Sequence, residues 1–594
     1  GNAANSISGL TGSGALNNGS ALEITTAGNA LYEGSLSGEG SITMNGTGTQ
    51  VLKGNGAIGQ ALSVTKGTLE LTGAEGGNGS VTYKSLTAGS GAHVRLSPVG
   101  EGTGAVNTTL TVANGLNLQN SHLDLVINTN RDDLFSSPVI TVQAGDVNLD
   151  GTTVSLGSLG DYDDPADPTA NLNFTLVDAT GAGTVSANGA TVDASGYFDF
   201  YYQEFGIRTE GGKIVVTGMV KTENAFMDAA NTANSEAGAN LLWNNRGNAP
   251  KGTQLGDLRE AVRNDIQSGN TSRAARSMAA AAGSTVNALG TAQKDALRDQ
   301  MGWIRNRTTL MGVNPAYVND DLPRFHMWME GTGSYAKLDT RGDESGYQLT
   351  TWGGTVGMDV DLSDHFTMGA AFTANYGDLT ASAADSADGH LDSYYASLFG
   401  RYQDRRWAHT LILTGGWNDA KLNRTVNYGE GSYGTQGSTS GWGFGAMYEL
   451  TYDVYLNENR SSVLQPLFNA SVVTTRMDGY EETGAGNAGL NVGRQDWTTG
   501  TLALGGRWMG LVGSNIFGRE ALAEIRVNAA QDLGDRRGET NVSLLGNPGF
   551  AQSVRGAKTG TTALQLGAGL SVPMGTKRTI FVKGNADIRD GAAQ

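Results

Sequence analysis

The sequence contains no cysteine among its 594 residues, and only 10 prolines. The lack of cysteine excludes disulfide bonds, thiolate metal sites and cysteine nucleophiles. No run of about 18 apolar residues occurs, which excludes a transmembrane helix by hydropathy but not a membrane-spanning barrel. The formal net charge of −18 argues against a nucleic acid partner, which needs a basic face. The 6 histidines lack metal-ligand spacing, and nucleophile-elbow and phosphate-loop motifs are missing. We therefore predict no cofactor, no metal and no enzyme activity.

Glycine, by contrast, is abundant, with 88 residues in the chain. Across residues 1–220, glycines separate short β-branched or leucine-rich runs such as 21–25, 41–44 and 67–71. Such runs are too short to fold alone, and they are typical of strands that stack as rungs. We predict a right-handed parallel β-helix with rungs over residues 1–105 and a cap over residues 106–220. A glycine-rich β-sandwich is the alternative that periodicity alone leaves open.

Two segments of this region stand out. The aromatic residues of 197–202 are typical of a cap that seals the end of a stack. Residues 161–168 form an acidic insertion, which we interpret as a solvated loop. A calcium site is the alternative, although the spacing lacks the EF-hand pattern.

Residues 221–323 have little glycine and more alanine, asparagine and arginine, which predicts a helical linker. Residues 271–307 are small and polar without a broad apolar stripe, so a helix there would lie in solvent or fill a polar channel. At about 1.5 Å per residue, such a helix is long enough to plug a pore that crosses a bilayer.

Residues 324–594 alternate between apolar and polar side chains in segments long enough to span a membrane as strands. In residues 366–376, for example, phenylalanine, methionine and tyrosine share one face with alanine, while threonine, glycine and asparagine share the other. A soluble sandwich also alternates, but aromatic residues near the segment ends favour an antiparallel transmembrane β-barrel. The predicted membrane-interface aromatics are Trp352, Tyr402, Trp407, Trp417, Tyr448, Tyr452 and Trp508.

The polar faces of these strands carry charges of both signs, which suits a filled, wet lumen. Small residues on the same faces, such as Gly357, Gly369, Gly567 and Gly569, are predicted to leave room for a helix. The predicted pore-lining residues are Glu330, Asp359, Asp361, Arg401, Glu449, Arg507, Glu524, Arg526 and Lys583.

Eleven strands can be counted, with long connections after the odd strands and short turns after the even ones. Long loops face the exterior in such barrels, so the first strand should run from the periplasm outward. Because single-chain bacterial barrels have even strand numbers, we expect a barrel of 12 strands whose closing strand is missing from this sequence, which would hinder closure and insertion.

The order of these regions resembles a classical monomeric autotransporter of type V secretion. Residues 36–52 resemble the passenger-associated transport repeat of that family, residues 327–335 its first barrel strand and residues 564–573 its tenth. The resemblance implies a barrel that anchors the protein in the Gram-negative outer membrane and translocates its own passenger to the cell surface. It also implies an autochaperone region near the cap and a linker helix inside the pore. The alternative is a surface-displayed adhesin or structural protein that uses the barrel only as an anchor.

The resemblance further implies contact with outer-membrane lipid, insertion by the barrel assembly machinery with periplasmic chaperones, and a monomeric state. Any host or surface ligand is unknown. Some members cut their linker at paired asparagines inside the pore. The linker pair Asn244 and Asn245 should lie outside the pore, so Asn306 is the better-placed candidate, although we expect no cleavage. Residues 341–343 read Arg-Gly-Asp, for which integrin-type adhesion is an alternative, although a tripeptide also recurs by chance.

Overall fold

The structure is a computed structural model that describes residues 5–100, 104–129, 137–159, 170–181, 183–250, 252–310, 325–516, 519–574 and 578–594. The chain forms two compact units, Gly1–Ala225 and Phe226–Gln594. The acidic segment of residues 161–168 lies outside the described residues, so its prediction as a solvated loop or a calcium site stays untested. Among the described helices, none combines the length and the apolar character of a membrane-spanning helix.

The first unit consists mainly of two sheets, in which parallel pairs join strands from successive passes of the chain. Side chains alternate along each strand, and the inward ones form an apolar interior in which Ile42, Leu62 and Leu69 are at most 1% exposed. The second sheet contains Asn29–Tyr32, Thr49–Lys53, Thr68–Thr72, His93–Ser97, His122–Ile127, Thr153–Ser158 and Thr191–Ala194.

The first sheet is longer and of mixed type. Its parallel strands are Asn5–Ile7, Ala21–Ile24, Ser41–Met44, Gly56–Val64, Ser80–Ala88, Thr109–Val112, Leu116–Asn117, Ile140–Val142, Val147–Asn148, Leu172–Asp178 and Val185–Ser186. A further parallel pair joins Leu16–Asn17 to Leu36–Ser37.

Two antiparallel strands, Tyr202–Glu210 and Lys213–Val220, complete the first sheet. Helix α1 (Tyr197–Tyr201) precedes them and buries four of its aromatic side chains, as the aromatic run suggested. Because the sheet mixes parallel and antiparallel pairs, a uniformly parallel β-helix does not describe this unit, and the β-helical passenger stays a prediction.

The second unit begins with four α-helices and continues into a barrel. The helices are α2 (Ala233–Asn244), α3 (Gln254–Gln267), α4 (Thr271–Ala282) and α5 (Asn287–Leu310). The predicted continuous helix over residues 271–307 is wrong, because the chain leaves the α-helix at Gly283. The φ angle of 75° at that residue places it in the left-handed region that favours glycine.

The barrel is an antiparallel sheet that closes on itself, as the sequence predicts. Its strands are β1 (Phe325–Leu338), β2 (Gly346–Ser363), β3 (Phe366–Ser382), β4 (Ser386–Asp404), β5 (Trp407–Tyr428), β6 (Gly431–Tyr452), β7 (Ser462–Met477), β8 (Gln495–Ile516), β9 (Arg519–Gly534), β10 (Thr562–Met574), β11 (Arg578–Arg589) and β12 (Ala592–Ala593). Strand β12 has two residues and pairs with both β11 and β1. The ring therefore closes through a very short twelfth strand, although we expected that strand to be missing.

The predicted pattern of connections is only partly right. Short turns follow the even strands β2 and β4, and long loops follow β7 and β9. The long loops expected after β3 and β5 are instead short turns, because both hairpins continue as paired strands to residues 382–386 and 428–431. The polar residues there belong to strand ends that extend past the apolar band, and polarity alone does not distinguish them from a loop. We call the two ends of the barrel the turn end and the loop end.

A short sheet covers the loop end. Its strands are Tyr480–Glu481, Leu490–Val492, Glu539–Leu544 and Gln552–Arg555, which come from the loops after β7 and β9. Helix α2 packs against its last strand. We call the short sheet and helices α2, α3 and α4 together the loop-end cap.

Candidate functional site: a helix in the barrel lumen

Helix α5 lies inside the barrel and packs one apolar face against the wall. Leu297, Met301 and Ile304 are spaced by four and three residues, so they share a face of the helix. Each is fully buried, in a cluster that includes Tyr395 and Phe399 from β4. At about 25 cal/mol per Å² of apolar surface, burial of three such side chains stabilises the inserted helix by several kcal/mol. We expected a helix without a broad apolar stripe, either in solvent or in a polar channel, so this apolar face is a correction.

The wall makes room for the helix at glycines of β6. A Cβ atom added to Gly443 would lie 2.9 Å from Leu297 Cδ2, and one added to Gly445 would lie 2.6 Å from Met301 Sδ. The predicted clearance glycines serve another purpose. A Cβ added to Gly357 would instead meet the ring of Trp328, a side chain of the wall itself.

Polar side chains of α5 hydrogen-bond to the wall along the length of the helix. Gln293 Nε2 donates to Asn418 Oδ1 at 3.0 Å, and Gln300 Nε2 donates to Thr373 Oγ1 at 2.7 Å. Arg298 forms an ion pair of 3.0 Å with Asp532. These partners come from strands β3, β5 and β9, so the helix is held from several sides.

Both ends of α5 are also held. At the loop end, the Gln495 side chain accepts from Gly290 N at 3.0 Å and donates to Val286 O at 2.9 Å. At the turn end, Arg307 forms an ion pair of 2.7 Å with Asp359. The other carboxylate oxygen of Asp359 lies 3.0 Å from His326 Nδ1. The helix therefore fills the lumen from the loop end to the turn end.

A buried ion pair fixes the break between α4 and α5. Arg424 Nε and Nη2 donate to the two carboxylate oxygens of Glu482 at 2.7 and 2.6 Å, while Nη1 donates to Ala280 O at 3.0 Å. Both charged side chains are at most 2% exposed. Asp385, in the turn after β3, hydrogen-bonds to Thr285. Burial raises the pKa of Asp385 to about 6.

The linker is tied to the loops by hydrogen bonds in the loop-end cap. The Asn234 side chain donates to Arg555 O at 2.9 Å and accepts from Arg555 N at 2.8 Å, a reciprocal pair. It also donates to Asp343 O at 3.0 Å. Farther along, Asn487 Nδ2 donates to Asn248 O at 2.9 Å. The linker thus contacts the loops after β1, β7 and β9.

The predicted pore-lining residues lie on inward-facing positions, and several are brought together. Arg507 Nη1 donates to Glu449 Oε1 at 3.2 Å, and Lys583 Nζ donates to Glu524 Oε2 at 2.5 Å. Asp361 lies near the turn after β2, where it accepts from Thr367. The remaining candidates with at most 4% exposure are Asp359, Arg401 and Arg526, whereas Glu330 is half-buried.

Several wall residues that contact α5 were missed. Asn418, Thr373, Gln495 and Asp532 share inward positions with the charged candidates. The sequence showed that these residues face the lumen. An amide or hydroxyl side chain, however, does not indicate whether a lumen-facing position binds a helix or only water.

The predicted interface aromatics lie on outward faces, in two tiers. Tyr402, Trp407, Tyr448, Tyr452 and Trp508 lie toward the turn end, and Trp352 and Trp417 toward the loop end. The Trp407 and Tyr452 rings have centroids 4.8 Å apart. Between the tiers, the outward side chains are apolar and exposed, including Val356, Leu398 and Leu504 at 56 to 66%. A band of this kind requires a lipid environment.

The remaining candidate residues also have defined places. Asn306 is buried in α5, and its carbonyl accepts from Lys583 Nζ at 3.0 Å. Asn244 and Asn245 lie at the end of α2, in the loop-end cap. In the Arg-Gly-Asp segment, Arg341 forms an ion pair of 3.0 Å with Asp590 and Asp343 accepts from Thr232. Linker cleavage and integrin-type adhesion both stay untested.

An outward apolar band, interface aromatics and an occupied, polar lumen together define a transmembrane β-barrel plugged by its own linker helix. Residues 327–585 match the family model of the autotransporter beta-domain. Residues 327–585 therefore form an autotransporter β-domain, a barrel of the Gram-negative outer membrane.

Individual proteins are also similar to parts of this chain. The chain is 31% identical to Esterase EstA of Pseudomonas aeruginosa over 218 residues, which cover 36% of this chain and 32% of the esterase. The chain thus spans about a third of the first curated relatives that it matches. Over 105 residues it is 28% identical to an extracellular serine protease of Serratia marcescens, covering 17% of this chain and 10% of the protease. The translocator domain of NalP from Neisseria meningitidis aligns with a TM-score of 0.37 and 14% identity, covering 51% of this chain and 95% of that domain.

These names correct one prediction. The expectation that the protein has no enzyme activity is wrong as a conclusion, because relatives of the chain are named as an esterase and a serine protease. The absence of catalytic motifs applies only to the residues of this sequence, and the matched part covers only 32% of the esterase and 10% of the protease.

Proposed function

We propose that the barrel anchors this protein in the outer membrane and translocates residues 1–225 to the cell surface as its own passenger. The observation that carries the proposal is the path of the linker. Helix α5 fills the lumen, and its N-terminal side continues into the loop-end cap, which binds loops that face the exterior in barrels of this kind. The linker from α2 to α4 therefore lies at the end of the barrel that faces the exterior.

The first unit supports a passenger that folds as a stack of rungs, a β-helix. Successive passes of the chain add parallel strands to both sheets, in register with the previous pass. A structure of this kind needs contacts only between neighbouring rungs, so it folds progressively as residues emerge. The antiparallel strands Tyr202–Glu210 and Lys213–Val220 suit the cap and autochaperone roles, because the C-terminal end of a passenger emerges first.

The proposal includes the partners that the resemblance implies: outer-membrane lipid around the apolar band, and the assembly machinery with periplasmic chaperones during insertion. The loop-end cap favours a passenger that stays attached, because it holds the linker by hydrogen bonds to three loops. Surface display as an adhesin or structural protein is the second candidate. It is favoured by a row of short polar side chains on the first sheet, Glu23, Thr43, Ser63 and Thr87, which lie in register on neighbouring strands.

An epitope tag inserted into the exposed turn near Gly76 tests the proposal. In intact cells that express the full chain, external protease should remove the tag, and a barrel fragment should stay protected in the membrane. A periplasmic reporter protein in the same cells is the control and should be digested only after the outer membrane is permeabilised. Protection of the tag until permeabilisation would show that the passenger remains in the periplasm and would overturn the proposal.

A further inference from the structure

Four arginines lie buried in the lumen, on α5 and on three different wall strands. Arg305 belongs to α5, and Arg401, Arg507 and Arg526 belong to β4, β8 and β9. Their exposed fractions are 7, 4, 0 and 2%. An ionised group is costly to bury unless it is paired and its donors are satisfied. The guanidinium groups here therefore require partners inside the barrel.

Carboxylates of the wall satisfy only part of this requirement. Glu449 is paired with Arg507 at 3.2 Å, and Glu524 is paired with Lys583. By contrast, Arg526 Nη2 donates to the neutral amide of Asn585 at 2.6 Å. Within the part of the chain that the structure describes, neither Arg305 nor Arg526 forms an ion pair.

The other charged groups nearby do not form ion pairs with Arg305 or Arg526 in the described ranges of the chain. Arg401 donates to Gln403, and Asp453 accepts from Gln403 and Gln465. Asp299, on α5, and Glu330, on β1, each have one buried oxygen without a partner, but neither is within ion-pair distance of Arg305 or Arg526 among the described residues. Other lumen charges in the part that the structure describes form pairs of their own, including Lys294 with Asp295, Arg298 with Asp532, Arg307 with Asp359 and Arg589 with Asp587.

Arg305 and Arg526 line the same cavity, which has a volume of about 440 Å³ between α5 and the wall. Four N–H groups on its lining are buried without a partner: Arg305 Nε, Arg526 Nε and Nη1, and Asn469 Nδ2. The lining also carries acceptors, among them the carboxylates of Asp299 and Asp587, but in the described residues no ion pair joins either carboxylate to Arg305 or Arg526. A tetrahedral oxyanion suits such a site, because guanidinium groups bind its oxygens in pairs.

We propose that this cavity binds an inorganic oxyanion of the phosphate class between Arg305 and Arg526. The anion would bridge α5 to β9, and so would fasten the helix to the wall where direct ion pairs are missing. The site would exist only when α5 is inserted, because one of its two arginines belongs to the helix.

The test uses the purified full chain in detergent micelles, with inorganic phosphate as the probe and chloride at equal ionic strength as the reference. Phosphate at about 50 mM should raise the unfolding midpoint, followed by the heat-dependent gel shift of the barrel, by roughly 4 °C or more over chloride. Broadening of the ³¹P resonance on addition of protein should report binding directly.

Variants locate the site. Arg526→Gln and Arg305→Gln should each lose the difference between phosphate and chloride. Arg494→Gln, at an exposed arginine paired with Asp496, is the matched control and should keep it. If Arg526→Gln fails to fold, Arg305→Gln still tests the site, because it leaves the wall unchanged. Equal midpoints and an unbroadened resonance for the unaltered chain would mean that the cavity holds water only, and a difference that survives in both variants would place the anion elsewhere. Either result overturns the proposal.

Discussion

Arg424 joins three parts of the molecule through one guanidinium group. It lies on β5, binds Glu482 from the loop after β7, and donates to the last turn of α4 through Ala280 O. Since both charges are out of water, removing either side chain leaves the other buried without its bidentate partner. The break at Gly283 is therefore held by a pair whose two members cannot be removed independently.

Arg424→Gln should destabilise the loop-end cap by about 3–5 kcal/mol, because it leaves the Glu482 carboxylate buried and unpaired. Hydrogen exchange of α4 and of residues 480–492 should accelerate more than a hundredfold. Arg494→Gln, which breaks an exposed pair with Asp496, should cost less than about 1 kcal/mol. The double variant Arg424→Gln with Glu482→Gln should recover part of the loss. Unchanged exchange in the single variant would show that the pair is not needed to hold the break.

At the scale of the elements, alternation in the sequence was enough to locate the barrel strands. Period-2 patterns located β1 to β11 because lipid on one side and a wet lumen on the other act on every residue of a strand. The same patterns missed the outer halves of β5 and β6, where both faces are polar and no alternation remains. They also missed the break at Gly283, since one glycine in a helical pattern does not by itself reveal a left-handed residue.

The candidate site also has features that the sequence predicts and features that it does not. Inward charges such as Arg507 and Glu449 could be assigned from strand periodicity, because their side of the sheet follows from their neighbours. Which of them would pair, and that Leu297 and Met301 would contact β6, depends on how α5 is rotated and how deeply it is inserted. Those are tertiary quantities, and no local pattern specifies them.

Gly445→Leu should displace α5, because the new side chain would occupy the place of Met301. We expect the amides of α5 to exchange at least about tenfold faster, since overpacking typically costs 1–3 kcal/mol. Gly415→Leu is the matched control, because Gly415 lies on β5 with no neighbour within 3.4 Å of an added Cβ. It should leave exchange in α5 unchanged. Equal rates in the unaltered chain and both variants would mean that β6 does not set the position of the helix.

At the scale of the whole molecule, one continuous chain supplies the barrel, its plug and the cap over its mouth. Helix α5 runs through the lumen and, at about 1.5 Å per residue, spans roughly 36 Å. That length exceeds the hydrocarbon thickness of a typical bilayer, about 30 Å. A pore closed over its whole length should conduct poorly while the linker remains in place.

In planar bilayers, the full chain should therefore show only small currents, and a variant lacking residues 1–310 should show steady currents several-fold larger. Both proteins should be folded by the gel-shift criterion before the comparison. Large steady currents through the full chain would contradict a plug that fills the lumen.

The hydrogen bonds of the loop-end cap also determine how the protein responds to mechanical load. A pull on the chain that precedes α2 acts first on the contacts of Asn234 with Arg555 and then on the contact of Asn248 with Asn487. These contacts join the linker to two neighbouring loops, whose strands pair in the short sheet. Because these attachments follow one another along the chain, they resist the pull one after the other. On the proposed function, they would hold the linker against drag on the displayed part of the protein before any load reaches the helix in the pore.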